Sequence, residues 1–123
     1  MKGWLNKKSR DLAFGADVFQ RRFVVLTPDA FLYFHEEPSE DLEFVKGTEN
    51  PISHHSIDIN RIGSIEIIGE KKRKMRLIVR NPDVKGHASE HFEELIFRAN
   101  NSAECDEWVA ALDVTIDSKK KSA

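Results

Sequence analysis

The chain has 123 residues, enough for one domain, and Leu, Ile, Val and Phe supply 34 of them, so a core can form and global disorder is excluded. Lys plus Arg is 19 and Asp plus Glu is 21, and the resulting net charge of −2 excludes a uniformly basic nucleic-acid binder. No apolar run approaches the ~18 residues of a membrane span, and the single cysteine excludes an internal disulfide framework and fits a cytosolic chain.

Most of the sequence runs in short β-type segments. Gly3 to Lys7 alternates apolar and polar residues. Phe19 to Thr27 is β-branched and aromatic and stops at Pro28-Asp29, a turn signal. Ala30 to His35 is a third segment. Residues 36–51 are acidic and carry Gly47, Asn50 and Pro51, the pattern of a long loop. Ser56 to Ile59, Gly63 to Ile68, Met75 to Arg80 and Phe92 to Ala99 complete seven strands, with a polar loop at 83–91. Seven short strands with intervening turns imply an antiparallel sandwich or barrel.

The period then changes. Cys105, Trp108, Val109, Leu112 and Ile116 fall on one face of a helix, with Asp106, Glu107, Asp113 and Asp117 off it. Asn101 with Glu104 has the spacing of a capping box, and Ser102 is an equally good N-cap. Residues 118–123, with Lys119, Lys120 and Lys121, read as a disordered basic tail after a domain at 1–117. Met1 directly before the first strand, with this ragged end, fits an excised domain or a very small protein.

The near-zero charge conceals segregation. Residues 1–28 carry +4, 29–58 carry −7, 59–80 carry +5 and 81–123 carry −4. An anionic partner should therefore meet only part of the surface.

Local motifs in this order carry a family resemblance. Lys2-Gly3-Trp4-Leu5, Arg21-Arg22-Phe23-Val24-Val25-Leu26, Phe31-Leu32-Tyr33-Phe34-His35 and Ala103 to Leu112, with Trp108 in the last, resemble the first, second and third strands and the closing helix of a pleckstrin homology (PH) domain. The resemblance spans about residues 2–116. It implies a seven-stranded antiparallel barrel of two near-orthogonal sheets, capped by one C-terminal helix. Fold alone does not decide function.

Phosphoinositide-binding members carry a basic pattern from the first strand into the second. Here Lys7 and Arg22 match it, while Gln20 occupies the intermediate basic position. The resemblance aligns the tyrosine that such members place near a phosphate with Phe34. Strand alternation then sends Tyr33 to the other face. The acidic segment 36–49 should also repel a polyphosphate near that pocket. A second basic cluster, Lys71 to Arg76, lies at the turn between strands five and six. In some PH domains this turn neighbours the first loop, which makes Lys8, Arg10, Arg21, Lys71, Lys72, Lys74 and Arg76 candidates for an outer headgroup site. Leu12 and Phe14 in the first loop are candidates for membrane insertion. The balance leans to the outer site.

The expected function is therefore a non-catalytic, cytoplasmic, peripheral membrane module. It binds anionic phospholipid headgroups: phosphoinositide, phosphatidic acid or phosphatidylserine. The alternative is a protein-interaction module on the same scaffold, using the acidic loop or the groove between strand five and the helix. No cofactor, metal or nucleic-acid partner is expected. His87 and His91 sit in a loop and the adjacent His54 and His55 face opposite ways, a poor set for zinc. No nucleophile elbow, P-loop or dinucleotide fingerprint occurs, and Cys105 reads as a core residue. Lys71 to Lys74 also fits a nuclear-import pattern, and Asn100-Asn101-Ser102 is a sequon better read as helix capping.

Overall fold

The computed structural model describes residues 1–11, 16–35, 54–80 and 92–122, with the side chains of 9–11, 16, 17, 54 and 122 outside that description. The described strands are β1 (Lys2–Asp11), β2 (Ala16–Leu26), β3 (Ala30–Phe34), β4 (His54–Asp58), β5 (Ile62–Ile68), β6 (Lys74–Arg80) and β7 (Phe92–Arg98). A 3-10 turn, Ile59–Arg61, joins β4 to β5, and α1 (Ser102–Ser122) closes the chain.

All seven strands lie in one antiparallel sheet, in the order β4-β3-β2-β1-β7-β6-β5. The two sheets expected from the sequence are thus joined. The seam is narrow: β1 meets β7 through Asn6 opposite Arg98 and Lys7 opposite Phe97. The sheet curls so that one face becomes the interior. Leu5, Val24, Phe31, Ile57, Ile62, Leu77 and Phe97 all enter a single apolar core from that face. The Phe31 and Tyr33 rings meet the Phe97 ring edge-on, with centroids 5.3 and 5.6 Å away.

The helix supplies what the curled sheet lacks. Cys105, Trp108 and Leu112 are buried in the core, and Val109 and Ile116 pack against it, the face read from the sequence spacing. α1 packs on β5, the 3-10 turn and β6. Burying side chains of this size contributes about 1.5–3 kcal/mol each. Gly3 on β1 lies over Trp108; a Cβ there would stand 3.5 Å from the indole. Asn101 is the N-cap: the Glu104 N–H donates to Asn101 Oδ1 at 2.8 Å, and Asn100 Nδ2 donates to Glu104 at 3.2 Å.

The helix also extends further than the sequence suggests. Residues 118–122, expected as a disordered tail, continue α1 to Ser122, and Lys119 Nζ reaches Asp29 in the β2–β3 turn at 2.7 Å. Three lysines in the last turn complement the helix dipole, which favours helix over fraying. No helix among the described residues is long and apolar enough to cross a membrane.

Candidate anion-binding surfaces

Strand pairing decides which bases share a face, because residues directly opposite each other project to the same side. One row runs across four strands on the outer face. Arg21 on β2 lies opposite Asn6 on β1, Asn6 opposite Arg98 on β7, and Arg98 opposite Lys74 on β6. Aromatic rings fill the space beside it. The Arg98 guanidinium lies 4.2 Å and Lys74 Nζ 5.4 Å from the centre of the Phe19 ring, and the Arg21 guanidinium lies 4.5 Å from Trp4. Lys8 is opposite Phe19 and so belongs to the same face.

The bases of the first and third charge segments therefore meet on one surface. Lys71 and Lys72 extend it; both are exposed on the β5–β6 turn, which Gly69 makes with a φ of 85°. Lys72 itself adopts a left-handed φ of 53°, and its N–H donates to the Gly69 carbonyl at 3.3 Å. The Arg73 carbonyl accepts from Ala99 N–H at 2.7 Å, tying this turn to the end of β7.

Arg76 does not join the outer row as a free cation. It pairs with Glu66 on β5 and, at 3.5 Å, with Glu94 on β7, so its charge is largely answered within the sheet. The main chain of Arg10 lies in β1, but its side chain lies outside the described residues, as do Leu12 and Phe14 entirely. Phe19 and Arg98 are missed by the sequence reading. Arg98 follows from alternation on β7 only once its register with β1 is known.

A second basic cluster lines the mouth of the barrel, on the inner face. Lys7, Arg22, Tyr33, His55, Arg61 and Glu93 surround a pocket of about 420 Å³, which His35 also borders. Tyr33 belongs here and Phe34 does not, which corrects the alignment above. Tyr33 lies opposite inward-facing Val24, whereas Phe34 lies opposite Phe23 and packs on the outer side with Phe23 and Val25 at 1 % exposure. The pocket thus has a phenol hydroxyl after all.

Its electrostatics are mixed. Arg22 donates to Gln20 Oε1 at 2.7 Å and to the Arg21 carbonyl at 2.8 Å, so the residue replacing the expected base holds the guanidinium in place. Burial pushes the Lys7 ammonium below the usual lysine value; Glu93 opposes this and Arg22 adds to it. Burial also raises the Tyr33 phenol, with Glu93 adding and Arg22 opposing, which keeps it a neutral donor. Arg61 Nε donates to the Arg80 carbonyl at 2.8 Å. The acidic segment 36–49, His87 and His91 lie outside the described residues, as does the side chain of His54.

Beside α1, Leu26 and Pro28 face Ala110, Ala111 and Val114 across an apolar hollow of about 660 Å³. β5 and the helix are themselves in contact.

The sequence matches the PH domain family over residues 1–117. The chain belongs to the PH domain family. None of the curated proteins matches it. Among solved structures, the PH domain of human oxysterol binding protein-related protein 11 is similar at 20 % identity, covering 99 % of this chain and 83 % of that one, with a TM-score of 0.65. The Slm1 PH domain in complex with inositol-4-phosphate is similar at 15 % identity, covering 94 % and 93 %, with a TM-score of 0.61. Slm1-PH has also been shown to bind ligand at a site other than the family's usual one. The DH/PH domains of PDZ-RhoGEF, seen in complex with activated RhoA, are similar at 13 % identity, covering 96 % and 29 %, with a TM-score of 0.67. These likenesses show that the PH fold is shared. PH domains are generally non-catalytic modules, and the PH neighbours include binders of inositol phosphates.

Proposed function

We propose that this PH domain is a non-catalytic, peripheral module of cytoplasmic membrane faces that binds anionic phospholipid headgroups, chiefly through its outer face. The observation that carries this reading is the row Arg21, Arg98 and Lys74 with Phe19 beside it, which unites two basic segments far apart in sequence. Each base near an anionic leaflet contributes about 1 kcal/mol. Arg21, Lys71, Lys72, Lys74 and Arg98, with Lys8, would hold the domain weakly and in a salt-dependent way, because exposed charges are screened over about 10 Å at 0.1 M salt. Slm1-PH, with its bound inositol-4-phosphate and its ligand site away from the usual one, supports the same class of ligand and placement. Phosphoinositide, phosphatidylserine and phosphatidic acid all suit such a surface. Co-sedimentation with vesicles of each composition, at low and high salt, is the test. Binding to anionic vesicles that weakens with salt is expected, and no binding to any of them at low salt would remove the proposal.

A second reading, a protein-interaction module without lipid, is favoured by the apolar hollow beside Val114, whose side chain is exposed. It predicts that Val114→Asp disturbs partner binding while vesicle binding is absent from the start.

A further inference from the structure

Two imidazoles border the inner pocket. His35 follows β3, and His55 lies in β4 with its ring stacked on Tyr33, centroids 4.8 Å apart and planes 20° from parallel. Among the described residues, β1 brings Lys7, β2 Arg22, β3 Tyr33, the 3-10 turn Arg61 and β7 the Glu93 carboxylate, while β6 adds the apolar Val79. The described residues thus line the pocket with three bases and one carboxylate, and two imidazolium ions add two positive charges to whatever the neutral form carries. Protonation also changes the hydrogen-bonding capacity. A neutral imidazole offers one donor and one acceptor, an imidazolium two donors.

We propose that the inner pocket is a proton-gated anion site, in which protonation of His35 and His55 tightens the hold on a phosphate group. The proposal rests on the headgroup reading and adds a regulation to it. The outer face brings the domain to an anionic surface at any pH; the pocket engages on acidification, when its imidazoles gain charge. A bound anion favours positive charge on the imidazoles beside it, so the anion and the two protons bind cooperatively. By linkage, the anion must then promote proton uptake as much as protons promote anion uptake.

Phosphomonoesters change charge near pH 6 and would confuse the reading. The probe is therefore phosphatidylglycerol, a phosphodiester, presented in phosphatidylcholine vesicles. A parallel arm uses soluble glycerophosphoglycerol, followed by NMR at His55 and Tyr33, to separate a membrane headgroup from a free phosphodiester. Both arms are run at about pH 7.5 and about pH 5.5. Wild type should bind at least about tenfold tighter at the lower pH in both arms. His35→Gln/His55→Gln should lose that step, and His35→Lys/His55→Lys should show tight binding already at the higher pH. Both residues are exposed, so folding should tolerate either change. A step that survives in the Gln variant, or appears with vesicles but not with the soluble headgroup, overturns the proposal while leaving the outer-face reading intact. Binding in neither arm at either pH removes both.

Discussion

Single residues separate the two surfaces. Tyr33 and Phe34 are neighbours, yet one lines the inner pocket and the other is sealed on the outer side of the sheet. Alternation in the sequence shows that they face opposite ways; only the pairing of Tyr33 with Val24 shows which of them faces inward. Arg76 is a comparable case. Its place in a run of bases marks it as a ligand candidate, but the glutamates that answer it come from β5 and β7, which the sequence does not bring near. Arg76→Ala/Glu66→Ala should therefore leave vesicle affinity within about twofold of wild type, because it removes a base and the acid that answers it together and leaves the local charge unchanged. Arg98→Ala should weaken vesicle affinity about fivefold or more by the roughly 1 kcal/mol that one base contributes. Cys105 shows a third behaviour. Burial, with Asp106 second, raises its thiol above 9.0, so the stability this shift confers is present below pH 9.0 and is lost as the pH rises through the folded value. Stability should fall less steeply above pH 9.0 in Cys105→Ala, and iodoacetamide should label the wild-type thiol only as the protein unfolds.

At the scale of elements, most of the fold is legible because strand and helix periods differ so clearly. All seven strands and the face of α1 carrying Trp108 follow from alternation, turn residues and the shift to helical spacing. Asn101 and Ser102 are equivalent caps on paper; the bond from Glu104 to Asn101 Oδ1 distinguishes them. Asn101→Ala should lower stability by about 1 kcal/mol in urea denaturation, and Ser102→Ala should cost much less. What spacing could not convey is the narrow β1–β7 seam, since register between distant strands depends on the whole curl of the sheet. The helical residues 118–122 were hidden for another reason: their anchor, Asp29, lies 90 residues away in sequence. The β5–β6 turn offers a clean separation of charge from fold. Lys72→Gly removes a base and relieves a left-handed backbone, so thermal stability should rise slightly while vesicle affinity falls.

For the whole molecule, the decisive property is the arrangement of charge rather than its sum. A chain of net −2 carries its outer bases in one row because the +4 and +5 segments pair through β7. That arrangement is what makes a directional membrane contact possible for a protein that is acidic overall. The most direct measurement compares two double variants on phosphatidylserine vesicles at low salt. Lys74→Glu/Arg98→Glu reverses charge on the outer row, and Lys7→Ala/Arg22→Ala removes the inner-pocket bases on β1 and β2, leaving Arg61. At neutral pH the first variant should lose vesicle binding and the second should retain most of it. Binding unchanged in the first and lost in the second would contradict the account and move the headgroup to the mouth of the barrel.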